Sequence, residues 1–329
     1  MAQQRGIAGV SVAEMTSSFH HRGGLSGDRI FRSITTFFAL MVLVLAGAVV
    51  ITSFVSANKT LTRYGFSFFT SDAWDPNVKF LFGARPFIFG TALTSLLAVS
   101  LAGVVGVGVA LLLVELRLPR WFSTPVSFLV ELLAAIPSIV FGVWGLFVLV
   151  PSMQLHVDPF LHQVFGCTPF FGQDTGGGAT ILTCSIILAI MVVPTVAAIS
   201  RDVIRVVPDS QREAMLALGA TRWEMITRAV LPYARPGIIG ALILALGRAV
   251  GETIAATMVI GNAARIGPNL LSTGDTLASK IANNFSDASD LARSALFELG
   301  LILFLLSVAL NALARLLVWS ISRNTGKVV

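Results

Sequence analysis

The chain has 329 residues, 55% of them hydrophobic and only 12% charged, about half the charged fraction of an ordinary soluble domain. Its formal charge of +6 would suit a polyanion, but no basic helix or aromatic-interleaved patch stands in a polar setting, which excludes nucleic acid as the partner. The composition instead calls for the lipid bilayer as solvent.

Residues 1 to 29 mix Gly, Ser, Gln, His and Arg without apolar periodicity. They are expected to form a disordered cytoplasmic tail ahead of a membrane domain over 30 to 322, with a short cytoplasmic tail at 323 to 329. Crossing hydrocarbon takes about 20 apolar helical residues, and residues 34 to 56 and 86 to 114 carry no charge at all. The first run is too long for a signal-peptide core and is expected to stay as an uncleaved anchor. Hydropathy predicts six spans, near 34 to 56, 86 to 114, 125 to 150, 179 to 200, 237 to 261 and 294 to 316.

With the N-terminus inside, the inner segments hold 15 Lys and Arg and the outer ones seven, so both termini are expected to be cytoplasmic. Small residues four apart, Ala102, Gly106 and Ala110 in span two and Gly247 and Gly251 in span five, predict close helix contacts. Pro137 and Pro194 predict kinks in spans three and four. Cys167 and Cys184 have no metal-ligand spacing, and the sequence leaves their pairing open. His20, His21, His156 and His162 form no intramembrane cluster, so a histidine-based membrane enzyme has no support.

Between spans four and five lies a polar interruption, residues 200 to 236. Pro208, Asp209 and Ser210 read as the turn and cap of a short helix that Gly219 ends. A second helix is expected from Thr221 to Leu231 and Pro232, where the chain re-enters the membrane. A basic hairpin lying on anionic lipid would have the same composition. The spacing of Glu213, Ala214, Gly219, Leu231 and Pro232 adds a second reading, because it resembles the EAA loop of bacterial ABC-importer permeases. Met215 and Ala229 replace that family's third-position Ala and its Ile. ELLAAIPSIVFGVWGLF (131 to 147), LALGRAVGETIAA (244 to 256) and FELGLILF (297 to 304) are similar to the phosphate-specific permeases of the Pst system, the C-type subunits above all.

The resemblance implies an all-α integral membrane fold of the type I ABC-importer kind, with about six transmembrane helices and a cytoplasmic coupling helix, in the bacterial inner membrane. It implies two ATPase subunits, a second permease chain and an extracytoplasmic phosphate-binding protein as partners. The chain itself binds no cofactor on this reading. ATP and Mg2+ belong to the ATPase, in keeping with a sequence whose only Lys followed by Ser or Thr is Lys59, which Asn58 precedes, so that no phosphate-cradling P-loop is present. Asp72, Trp74 and Asp75 read either as contacts for the delivering protein or as ordinary outer-loop residues.

Arg248 and Glu252 stand four apart in span five, where a charge costs about 2.5–3.5 kcal/mol on insertion scales. One reading pairs them structurally on one helix face. The other, which the resemblance supports, sets them on the transport route, with Arg248 as a fork of donors for an oxyanion. Glu131 and Glu298 are expected to bond neighbouring helices when protonated. The rival function is an ion-coupled secondary transporter of an oxyanion with Glu131, Glu252 and Glu298 as relays; it leaves the spacing of the 200 to 236 loop unexplained.

Overall fold

In a computed structural model of the chain, the structure describes residues 25–76, 78–116, 118–173 and 176–325. The tail expected at 1 to 29 lies outside the described residues as far as residue 24, and the last four residues of the C-terminal tail lie outside them too. Regular structure among the described residues is helical, with a lone antiparallel bridge between Asp75 and Leu81.

The chain divides into two compact units, residues 1 to 52 and 53 to 329. The described part of the first is the opening stretch of α1 (Leu25–Tyr64), already helical five residues before the expected end of the tail. From residue 34 to 49 it carries no charge, as a helix through hydrocarbon requires.

The second unit continues α1 and adds α2 (Ser67–Thr70), α3 (Arg85–Glu115), α4 (Arg120–Ala135), α5 (Ser138–Phe165), α6 (Ile181–Arg205), α7 (Asp209–Ala217), α8 (Arg222–Val250), α9 (Ile254–Val259), α10 (Leu277–Asn284) and α11 (Asp290–Thr325). Among the described residues, six helices are long and apolar enough to span: α1, α3, α5, α6, α8 and α11. Three of the expected spans need correction. The third does not run through 125 to 150, because Ile136 and Pro137 are extended and separate α4 from α5; the predicted kink is a complete break, since proline disfavours helical backbone in the residue before it. The fifth begins at Arg222 and ends at Val250, not at 261. The sixth helix extends to Thr325, into the expected C-terminal tail.

A recurring device carries α5 and α8 past internal prolines. Wide π turns at Gly145–Leu149, Met153–Val157 and Ile226–Val230 each end two residues before a proline: Pro151, Pro159 and Pro232. Leu231 N–H reaches back five residues to Ile226 O, so the hydrogen-bond register shifts by one just where the proline offers no donor. Pro232 therefore does not close the second loop helix, as expected; the helix runs on into the membrane.

α6 is the best covered of the spans. Its N-terminus is capped by Thr180, whose side chain accepts from Thr183 N–H. Small residues bring its neighbours in, as the sequence predicts for α3: Ala102, Gly106 and Ala110 are all buried. A Cβ on Gly106 would lie 2.9 Å from Val196, and one on Gly237 of α8 would lie 2.5 Å from Val203. α6 is thus clasped between α3 and α8 at glycine contacts, in a setting where backbone approach replaces hydrophobic drive. Gly247 and Gly251 do not serve this way, for Gly247 faces only Asn311 and Gly251 lies past the end of α8. Cys184 is buried in α6 and Cys167 is exposed; both are free thiols.

Candidate functional site

The polar loop has a core of its own. Ala110 of α3, Ile204 and Val207 at the end of α6, and Met225, Ile226, Val230 and Ala234 of α8 form one buried cluster. On it sits α7, opening at Asp209 as predicted. Gly219 terminates it in the left-handed region, φ +81°. Its N–H bonds Leu216 O at 3.0 Å and Ala220 N–H bonds Met215 O at 3.1 Å, the paired closure that glycine after a helix allows. Thr221 then starts α8 with a reciprocal capping box: its N–H donates to Glu224 Oε2 at 2.9 Å, and Glu224 N–H donates to Thr221 Oγ1 at 3.3 Å.

Of the residues expected to couple, Glu213, Ala214, Gly219 and Pro232 are exposed, and Leu231 is half-buried against the loop core. Val206 and Trp223 are each 72% exposed and Leu218 is 85% exposed. These apolar side chains flank α7 in a segment too charged to be buried in hydrocarbon.

Sequence reasoning missed the pair that holds this loop. Arg212 Nε and Nη2 donate to Glu115 Oε1 at 3.2 and 2.9 Å, and Glu115 is buried. The available signal was Glu115 itself, the charge that ends the uncharged run of span two.

The intramembrane charges do not lie as the spacing suggested. Arg248 occupies the last turn of α8, but Glu252 falls in the break before α9, so they share no helix face and form no ion pair within 4 Å. Glu252 Oε1 accepts from Ala255 N–H at 3.3 Å at the start of α9. Arg248 is exposed, and among the described residues its guanidinium has one hydrogen bond, from Nη1 to Thr195 Oγ1 of α6 at 3.5 Å. A guanidinium with five donors and one long bond is free to take an anion.

Glu131 stands 3.8 Å from Arg201 of α6, an ion pair between neighbouring helices rather than a protonated hydrogen bond. Glu298 is buried in α11, and neither of its oxygens has a hydrogen-bond partner within 3.5 Å; the polar tie in that region joins Thr60 Oγ1 to Ser294 Oγ at 3.3 Å.

The outer-loop residues have partners within the fold. Asp72 takes both bonds of the Arg85 guanidinium, Asp75 accepts from Val78 and Lys79 N–H, and Trp74 packs edge-on against Phe82 and Phe87 at 5.1 Å each. Lys280 completes the group, 5.2 Å above the Trp74 ring and 4.0 Å from buried Asp275. The backbone of Asp275 lies so close to α3 that a Cβ on Gly90 would stand 2.0 Å from its carbonyl oxygen.

Burial pushes the Asp275 carboxyl up from 3.8 to about 6, against the opposing pull of Lys280, while burial lowers the Lys280 ammonium. A carboxyl with a raised folded pKa contributes stability that is whole below its unfolded pKa and is lost as pH rises through the folded one. The melting temperature of the solubilised protein should therefore fall between about pH 4 and pH 7, and Asp275→Asn should flatten that fall. The two pKa values bound the effect at roughly 3 kcal/mol. A slope identical in the variant would remove Asp275 as its cause.

The family described as "Binding-protein-dependent transport system inner membrane component" matches residues 102–323. The phosphate transport system permease protein PstC of Pasteurella multocida is 42% identical over 303 residues, covering 91% of this chain and 94% of that one. The protein of the same description from Mesorhizobium japonicum is 44% identical over 305 residues, covering 91% and 92%. Among solved structures, a bacterial alginate ABC transporter in complex with alginate pentasaccharide-bound periplasmic protein gives a TM-score of 0.54 at 17% identity, covering 87% and 96%. The inward-facing MetNI methionine ABC transporter gives 0.52 at 19%, covering 72% and 95%. At such identities these two speak to the fold alone.

Proposed function

This chain belongs to the family of binding-protein-dependent transport system inner membrane components, and we propose that it is the permease subunit of an ATP-driven importer of inorganic phosphate. The observation that carries the reading is the likeness to phosphate permeases along nine-tenths of the chain. The exposed apolar rim of the α7 turn supports the rest. It offers a docking surface to a separate ATPase subunit, which holds ATP and Mg2+, one copy under each of two permease chains. The second permease is a different chain that completes the path, and a binding protein delivers phosphate from outside. Both termini lie in the cytoplasm, on the side of the α7 turn.

ATP binding closes the ATPase pair, and a partner that binds one permease state better than the other shifts the population toward it. Arg248 serves the anion in passage. Glu252 reads the proton that phosphate still carries at neutral pH: it accepts a hydrogen bond from that proton, whereas sulfate meets it with negative charge only.

The test is ATP hydrolysis by the copurified complex with binding protein and phosphate, sulfate or molybdate. Phosphate alone should stimulate, and uptake should persist with a protonophore. In the same assay Glu252→Gln should admit sulfate. Stimulation of the unaltered complex by sulfate but not phosphate would overturn the substrate, and a Glu252→Gln complex that still excludes sulfate would make Glu252 only a cap for α9.

A further inference from the structure

We infer that Arg212 is a positioning residue for coupling: a strut, seated on Glu115, that makes α7 move as one body with the ends of α3 and α6. The inference rests on the coupling role given to α7 above.

One guanidinium reaches four acceptors on four stretches of chain. Besides its two bonds to Glu115, the last residue of α3, Arg212 Nη2 donates to Ile204 O in the last turn of α6 at 2.9 Å. Nη1 donates to Val207 O in the connecting turn and to Asp209 Oδ1 in the first turn of α7 at 3.0 Å. The side chains of Arg212 and Glu115 are only 15% and 4% exposed, so their bonds to each other form largely out of water, where charge-assisted geometry is strongest. They line a cleft of about 470 Å³ at the foot of the bundle, one residue from exposed Glu213.

Geometry sets Arg212 apart from an anchor that only holds the fold. The loop already has an apolar core in Met225, Ile226 and Val230, but those residues belong to α8. Apart from half-buried Met215, α7 adds nothing to that core, and no residue of α7 is itself buried. A helix so lightly packed transmits displacement through whatever stiff contact it has, and Arg212 supplies one. From there the contacts continue through α3 to Gly106 on Val196 of α6, whose neighbour Thr195 touches Arg248. Movement at α7 thereby reaches the proposed anion residue through two packed helices.

A buried ion pair replaced whole by apolar side chains of similar volume commonly keeps stability, whereas removal of one partner does not. The test uses this asymmetry in the full complex with its ATPase. The double variant Arg212→Met with Glu115→Leu should assemble and melt like the parent, yet lose uptake per ATP hydrolysed by roughly tenfold, within the range usual for coupling between sites. Arg212→Lys keeps the charge without the fork and should fall between.

Normal uptake per ATP in either assembled variant overturns the inference. If neither assembles, the pair is a folding element and the inference also fails. Gly219→Val in the same assay separates the two levels. If it uncouples while the Arg212 variants do not, only the strut is wrong; if it leaves coupling intact, the role of α7 fails first.

Discussion

Arg248→Gln should abolish phosphate uptake while leaving the complex assembled. Arg248 is exposed in the last turn of α8, its hydrogen bond to Thr195 is long, and no carboxylate among the described residues lies within ion-pair distance. A residue held so weakly adds little to folding, and a neutral side chain is easier to insert than a charged one. Its position at a helix C-terminus gains some dipole attraction, worth at most about 1 kcal/mol at an accessible site. By contrast, a forked, charge-assisted contact to an oxyanion is worth roughly 3 kcal/mol, about two orders of magnitude in rate if it is made at the barrier to passage. The loss from substitution should therefore appear in transport and not in assembly. Copurification with the ATPase, followed by uptake into proteoliposomes, measures the two separately. Uptake at the parental rate in an assembled Arg248→Gln complex would remove Arg248 from the route.

The membrane class and the loop were legible because each rests on local signals. Uncharged length marks a span without reference to any neighbour, and a turn with its capping residue and a closing glycine mark a short helix in the same way. Gly219 and Thr221 fall where the spacing put them. What escaped depends on register or on distant partners. Counting four residues put Arg248 and Glu252 on one face, but the chain leaves the helix at Gly251, between them, with no proline to announce it. Pro232 read as a stop because the compensating π turn is a property of the hydrogen bonds, not of composition. Glu115 and Arg212 are 97 positions apart, so neither forecasts the other. The contacts of Asp72, Trp74 and Asp75 were not legible either, because their partners, Arg85 and Phe82 among them, are set by the fold of the outer loop.

Gly219→Val should uncouple ATP hydrolysis from uptake or prevent the ATPase from docking. A Cβ at this position would meet nothing within 4 Å, so crowding is not the difficulty. The backbone is: φ is +81°, a region in which a β-branched residue is a genuine outlier, at a cost of about 1–2 kcal/mol even for simpler side chains. Relief comes most easily by rotating this residue out of the left-handed region. That would break the closure by Gly219 and Ala220 N–H and redirect the chain between α7 and the capping box at Thr221. The core formed by Met225, Ile226 and Val230 would hold α8 in place, so α7 is the part that shifts, and with it Leu218, Glu213 and the apolar rim. Gly219→Asn supplies the control, because asparagine tolerates this conformation far better than valine. It should retain most coupled uptake. Equal loss in both variants would mean that the exposed surface of Gly219, not its backbone angle, is what the partner requires; parental coupling in both would remove α7 from the mechanism.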